Sequence, residues 1–285
     1  MQKRYNEAMQ LPGVTTVCFA ASYALALGLE LVQVLWPRQA LRLIALLCGG
    51  AGLLAQTLFL LVQVPRLGLE SPAGSILLIA WILAIFYLYG AIHHRQFAWA
   101  IFVLPLVLGL IGVATLAPVD DPSDTTWGDL LTNLRGEKFW GLIHGGLLLL
   151  SAVGVCVGFV ASVMYLWQAH RLKAKVPPRQ GIQLLSLERL EAMNRRAIVL
   201  AFPLLTAGVF LGAILLVQRS AQLRGWTDPR IMGACLLWLV FAILLYLRYG
   251  YHLRGRRIAQ WTIAAFLLLL VTLASTHTTV QGGSP

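Results

Sequence analysis

Charged residues are scarce in this chain. Only 12% of its 285 residues are charged, whereas 59% are hydrophobic, and soluble domains carry roughly 25% charge. The mean hydropathy is +0.77, which argues against a soluble domain and predicts a polytopic membrane protein. The net charge of +11 would suggest nucleic acid in a soluble protein. In a membrane protein, basic residues in cytoplasmic loops explain it better, so we expect a lipid environment and no nucleic-acid partner.

Cysteine is equally sparse, and each of the four cysteines stands alone inside an apolar run. The sequence contains no Cys-x-x-Cys pair and no Cys-x-x-Cys-His haem-attachment motif. We therefore expect the cysteines to be small core residues. Their pattern argues against a thiol oxidoreductase and against a c-type cytochrome.

Carboxylates are almost absent from the apolar runs. Glu30 is the one exception, and it lies near the end of its run, where we expect it to reach water. The sequence shows no nucleophile–base constellation, no phosphate loop and no evident internal repeat. This gives little support to a proton pump or a secondary transporter, and it favours an assembly factor over a catalyst.

Eight apolar runs are long enough to span a bilayer. They predict an all-α polytopic membrane bundle of about eight transmembrane helices. We divide it into four N-terminal helices within residues 1–117 and a second four-helix region, residues 118–285. The runs are 14–36, 40–62, 73–92, 98–117, 139–168, 197–217, 231–251 and 258–276.

The distribution of charge predicts the orientation of the chain in the membrane. Fourteen of the 22 Lys and Arg residues fall on the side of the loops that follow the first, third, fifth and seventh runs. Eight of the 11 acidic residues fall on the other side. We therefore expect the loop at 169–196 to be cytoplasmic and both termini to lie outside, in a bacterial inner membrane.

Two local patterns concern packing. The segment SLERLEAMNRR has Leu187, Leu190 and Met193 at helical spacing, which fits either a helix along the membrane surface or a helix leading into the sixth span. Gly154, Gly158 and Ser162 recur every four residues in the fifth span, and we expect them to let a neighbouring helix approach closely.

Two of the six histidines, His144 and His277, fall on the predicted outer side. At similar depth on different helices, they could supply two axial nitrogens to one metal centre. The alternative is a hydrogen bond from each imidazole to a Ser, a Thr or a backbone carbonyl. Trp140 lies one turn before His144 on the same face, although tryptophan at an interface is usually a membrane anchor.

Three stretches resemble the membrane family that handles haem in cytochrome c assembly, which includes the CcsA, CcmC and HemX-like proteins. The histidine-bearing helix ends in Tyr-Leu-x-Gln and a basic tail. A Leu-Glu-x-Leu segment leads into a Phe-Pro-Leu-Leu-Thr helix. A final helical pair closes with a histidine. The stretches are WGLIHGGLLLLSAVGVCVGFVASVMYLWQAHRLK, LLSLERLEAMNRRAIVLAFPLLTAGVFLGAILL and LLWLVFAILLYLRYGYHLRGRRIAQWTIAAFLLLLVTLASTH.

The resemblance implies a haem-handling protein of cytochrome c biogenesis. It implies non-covalent haem b held at the outer side, with His144 and His277 as the axial iron ligands. The family's Trp-rich segment is reduced here to QRSAQLRGWTDPR, in which only Trp226, Asp228 and Pro229 resemble it. We expect Trp226 to flank the haem and count Asp228 and Trp140 among the haem-binding residues, although an ion pair of Asp228 with Arg224 or Arg230 is the alternative for that side chain. The shortening favours the HemX-like members and a partner membrane subunit for delivery. The alternative function is a regulator or scaffold that affects haem biosynthesis without moving haem.

Overall fold

The structure is a computed structural model. It describes residues 15–36, 38–67, 72–93, 98–116, 137–174, 185–219, 229–251 and 255–275. All the regular secondary structure in these ranges is helical, which confirms the predicted all-α fold. Seven of the eight helices are long and apolar enough, by length and composition, to cross a membrane.

The helices follow the predicted apolar runs closely, except that the second, the fifth and above all the sixth extend well beyond them. Their bounds are α1 Thr16–Leu35, α2 Gln39–Leu67, α3 Pro72–His93, α4 Ala98–Leu116, α5 Glu137–Lys173, α6 Leu187–Arg219, α7 Pro229–Tyr249 and α8 Arg256–Ser275.

Proline and glycine explain several helix ends. Pro72 and Pro229 are the first residues of α3 and α7, where the missing N–H has no helical partner to lose. Gly255 precedes α8 with φ +75, and a Cβ there would lie 2.8 Å from the Tyr165 hydroxyl. Only glycine suits this position. Pro105 and Pro203 lie inside α4 and α6, as membrane helices tolerate.

The chain divides into two compact units, with α1 to α4 in unit 1 and α5 to α8 in unit 2. In each unit, consecutive helices pack together and the first packs against the last. A tryptophan–threonine hydrogen bond joins the second and third helices of each. Trp81 Nε1 donates to Thr57 Oγ1 at 2.8 Å, and Trp238 Nε1 donates to Thr206 Oγ1 at 2.9 Å. The same arrangement of helices and the same tryptophan–threonine bond therefore occur within each unit, although the sequence shows no evident repeat.

The core of unit 1 combines aromatic packing with buried hydrogen bonds. Phe19 packs against Phe59 with ring centroids 5.5 Å apart. The buried Tyr23 hydroxyl donates to Gln56 Oε1 at 2.8 Å, and Gln56 Nε2 donates to the Leu77 carbonyl at 3.2 Å. Since no water competes inside a bilayer, such bonds tie α1, α2 and α3 together.

Close approach of α5 and α6 defines unit 2, as the small residues predicted. A Cβ on Gly154 would lie 2.9 Å from Ala201 Cβ, and one on Gly158 would lie 3.2 Å from Thr262 Cγ2. Ser151 Oγ also donates to the Ala201 carbonyl at 3.0 Å. The expectation that these small positions admit neighbouring helices is confirmed.

Three details differ from expectation or decide between alternatives. The SLERLEAMNRR segment forms the first turns of the continuous helix α6, and Leu190 in it is buried. Of the two alternatives for this segment, a helix that leads into the sixth span is therefore the correct one.

The expectation that Glu30 reaches water is wrong, because the residue is only 3% exposed. The cysteines are all free, but only Cys156 is buried. Cys18 and Cys235 are exposed, because they lie on helix faces turned away from the core.

Candidate functional site

His144 lies near the beginning of α5, at its interface with α6. The side chain is half-buried, and its Nδ1 lies 2.7 Å from the carbonyl oxygen of Gly208. The backbone-carbonyl alternative raised by the sequence is therefore observed for one of the two ring nitrogens.

The chemistry of this hydrogen bond fixes the tautomer. A carbonyl oxygen only accepts, so Nδ1 must carry the proton and donate it. In the neutral imidazole, Nε2 then keeps its lone pair. Metal-ligating histidines commonly use this arrangement, in which the second ring N–H is held by a carbonyl or a carboxylate. The hydrogen bond to Gly208 is thus compatible with ligation through Nε2.

Glycines on α6 make room for the imidazole. A Cβ on Gly212 would lie 2.6 Å from Cε1 and 3.3 Å from Nε2 of His144. One turn earlier, a Cβ on Gly208 would lie 2.7 Å from Cδ2 of Leu148. The Gly-x-x-x-Gly face of α6 therefore receives successive side chains of α5, in the small-residue packing typical of membrane helices.

The two residues after His144 are glycines that face open space. A Cβ added to Gly145 or Gly146 would meet no atom within 4 Å. The imidazole is thus held against α6 on one side, while the adjacent backbone of α5 carries no side chain. Because they follow His144 by one and two residues, these glycines lie on other sides of α5 from the imidazole.

Of the other predicted site residues, only Trp140 lies within the described ranges. It is 49% exposed, and its ring makes an edge-to-face contact with Phe139, with centroids 5.7 Å apart. His277, Trp226 and Asp228 lie outside the described residues. The ranges above contain no group of three or more His, Cys, Asp or Glu able to hold a metal ion.

A second polar cluster joins all four helices of unit 2. The buried Asn194 on α6 donates from Nδ2 to Ser162 Oγ on α5 at 2.7 Å and to Thr262 Oγ1 on α8 at 3.2 Å. Arg248 Nη1 on α7 donates to Asn194 Oδ1 at 3.2 Å. Because Ser162 lies 18 residues beyond His144, about 27 Å along the α5 axis, this cluster is at the opposite end of the unit.

Arg248 completes the cluster. Its guanidinium donates to the Glu191 carbonyl at 3.4 Å and forms an ion pair with the Glu191 carboxylate at 3.5 Å. The arginine is 8% exposed, so it belongs to the helix interior and not to the loop after α7. Because each of these polar groups bonds to another helix, the cluster holds the four helices together.

Sequence reasoning missed both the glycine face and this cluster. The Gly208-x-x-x-Gly212 spacing was a usable indication of close packing. Asn194 and Arg248 were harder to recognise, because each lies near a helix end, where polar side chains usually reach the interface. The burial of Asn194 and Arg248 becomes apparent only in the structure, where the four helices of unit 2 pack together.

A known protein family matches most of this chain. The family model described as "Cytochrome C assembly protein" matches residues 71–280. The match begins before α3, so it covers more of the chain than the three resembling stretches, which begin at Trp140. No solved structure matches the chain significantly.

Individual relatives are distant but cover much of the chain. Protein HemX of Bacillus subtilis is 27% identical over 193 residues, which cover 61% of this chain and 67% of HemX. Cytochrome c biogenesis protein CcsA of Gloeobacter violaceus is 22% identical over 257 residues, which cover 73% of this chain and 75% of that protein. CcsA of Guillardia theta is 24% identical over 214 residues, 69% of each chain.

Proposed function

Since this chain belongs to the cytochrome c assembly protein family, we propose that it holds haem b non-covalently in the membrane, with His144 as one axial ligand of the iron. The chain is a multi-pass membrane protein of cytochrome c biogenesis. Bound haem would supply a porphyrin iron with two axial positions. What this chain supplies is the geometry of the ligand and the apolar surroundings.

The tautomer of His144 is the observation that carries the proposal. His144 Nδ1 lies 2.7 Å from the Gly208 carbonyl oxygen, and its N–H donates to that oxygen, which orients the ring and leaves the Nε2 lone pair for iron. Gly212, one turn further along the same face of α6, packs closely against the ring.

We propose His277 as the second axial ligand. Contacts between α5 and α8 support this, because the helices are antiparallel: Tyr165 lies opposite Gly255, Gly158 opposite Thr262, and the Phe159 and Phe266 rings stack at 4.0 Å. Continued along both helices, this register brings the end of α8 to the level of the first turns of α5. His144 lies there, and His277 follows two residues after the end of α8.

The proposed site lies at the outer side of a bacterial inner membrane. Charge asymmetry between the two sets of loops supports this orientation, since the strongly basic 169–196 segment follows the end of α5 that is distant from His144. Trp140, half-exposed one turn before His144, would border the haem, and Trp226 and Asp228 complete the proposed set. A partner membrane subunit would supply the surface for delivering haem.

Absorption spectroscopy of the purified full-length protein tests this function. We expect a Soret band that is lost in His144→Ala and in His277→Ala and kept in His93→Ala. His93 is a matched control, because it is an exposed histidine stacked on Tyr89. A wild-type protein that remains colourless after haem is supplied would contradict the proposal and favour the regulator or scaffold alternative.

A further inference from the structure

Unit 1 contains four buried polar atoms that have no hydrogen-bond partner among the described residues. They are Oε2 of Glu30, Oε1 of Gln33, the hydroxyl of Tyr87 and Nε1 of Trp99. Their residues are 3%, 2%, 0% and 6% exposed, respectively. Buried polar atoms in proteins are nearly always bonded, so each orphan requires an explanation.

Close packing explains why Nε1 of Trp99 has no hydrogen-bond partner. A Cβ on Gly90 would lie 2.6 Å from Nε1 of Trp99, so the indole N–H is closed off against the backbone of α3. The other three orphans are oxygen atoms. Glu30 and Gln33 are three residues apart on α1, so their side chains are neighbours on one face of the helix. Tyr87 interacts electrostatically with Glu30 from α3.

These three side chains lie at the same end of unit 1. Gln33 Nε2 donates to the Arg38 carbonyl, just before α2 begins, at 3.3 Å. Arg42 in the first turn of α2 donates to the carbonyl of Ala91, near the end of α3, at 2.9 Å. The orphan oxygens are thus enclosed where α1 and α3 end and α2 begins.

Simple counting of donors and acceptors shows what is missing. Oε2 of an ionised Glu30 and Oε1 of Gln33 are both acceptors, so these two oxygens cannot form a hydrogen bond with each other. One added proton changes this, because Oε2–H of a carboxylic acid can donate to Gln33 Oε1. We propose that Glu30 is a membrane-embedded proton-binding site, in which the neutral acid donates to the Gln33 amide oxygen.

The surroundings favour a proton over a metal cation. No ion pair within 4 Å joins Glu30 to another described residue, so an ionised carboxylate would be a buried anion without a direct counter-charge. Arg42 lies near enough to interact electrostatically with Glu30. Its positive charge offsets part of the cost of burying the carboxylate, but burial is the larger effect, and the same charge repels a second cation. The other facing groups are Tyr87 and, next to Tyr87, Cys48. Helix α4, which also packs against α1, has no ionisable side chain.

Infrared spectroscopy of the full-length protein in lipid tests this site directly. A protonated carboxylic acid has a carbonyl stretch separate from that of a carboxylate. We expect this band at neutral pH in the difference between wild type and Glu30→Gln, and we expect it to shift in Gln33→Leu, which removes the proposed acceptor. Absence of the band at every pH at which the protein is folded would overturn the proposal.

Chemical labelling gives a second measurement. Dicyclohexylcarbodiimide is apolar and adds to protonated carboxyl groups, and both its nitrogens stay in the resulting N-acylurea. We expect labelling of the Glu30 peptide that falls as pH rises and does not change with added Na⁺ or K⁺. The ion-paired Glu191 should remain unlabelled. Protection of Glu30 by either cation at constant pH would show a cation site and overturn the proposal.

Proton binding at Glu30 does not depend on haem binding. His144 and Glu30 lie in different units, so failure of one proposal leaves the other standing. A protein that lacks a Soret band and yet shows the Glu30 carbonyl band would refute the haem site alone.

Discussion

Replacing Gly212 with alanine would test the His144 site most sharply. The new Cβ would lie 2.6 Å from Cε1 of the imidazole and 3.1 Å from Nδ1. Carbon atoms in contact prefer about 3.5–4.0 Å, so the ring must move by roughly 1 Å. The hydrogen bond from Nδ1 to the Gly208 carbonyl, now 2.7 Å, would then exceed ordinary hydrogen-bond length.

The expected effects follow from these distances. Overpacking a well-packed interface costs about 1–3 kcal/mol, and the lost hydrogen bond costs roughly another 0.5–1.5 kcal/mol. Removing the group that orients a ligating histidine weakens metal affinity by about 10–100-fold. Haem titration and thermal unfolding of Gly212→Ala should therefore show both weaker haem binding and a lower Tm.

Gly109→Ala is the matched control. It also adds one methyl group to a helical glycine, but the methyl would meet no atom within 4 Å, so we expect unchanged haem binding and equal or slightly higher stability. If Gly212→Ala bound haem with wild-type affinity and spectrum, the imidazole would not be held by α6 as described. The reasoning about its tautomer would then be wrong.

The remaining predictions concern stability, orientation and delivery. Asn194→Leu should lower unfolding stability by about 1–3 kcal/mol, because membrane hydrogen bonds contribute roughly 0.6 kcal/mol each and several are lost; an unchanged Tm would contradict the clamp of four helices. In a cysteine-free background, an impermeant maleimide should label Thr125→Cys from outside and not Lys175→Cys, and the reverse result would invert the orientation. Expressed without a partner subunit, the protein should attach no haem covalently to an apocytochrome, because residues 218–230 contain one tryptophan and little flat aromatic area; haem-stained cytochrome would show this wrong.

Much of the fold was predictable because the bilayer sets strict requirements. A span needs about 20 apolar residues, and backbone polar groups must be satisfied within a helix. Run lengths alone therefore located all eight helices, and small residues at four-residue spacing on α5 indicated its close packing. The beginning of α6 was left open between two alternatives. In the structure, one continuous helix runs from Leu187 into the span, and Leu190 in its first turn is buried in unit 2.

Glu30 shows where sequence reasoning failed. Its position near the end of a run suggested contact with water, but depth along one helix does not determine exposure. Burial depends on the neighbouring helices, and in unit 1 the beginning of α2 and the end of α3 enclose it. The same limitation applied to Asn194 and Arg248, whose partners are 32 to 68 residues distant in the chain.

Composition and local residue order were enough to predict the membrane setting, the number of helices and the choice of His144 as a candidate ligand. Helix packing, in contrast, determines which nitrogen of His144 is free, because Gly208 lies 64 residues away on another helix. It also decided that Gly212 must be small and that Glu30 is enclosed. Hydrogen-bond partners and burial are properties of surfaces brought together by packing, and residue order within one helix does not contain them.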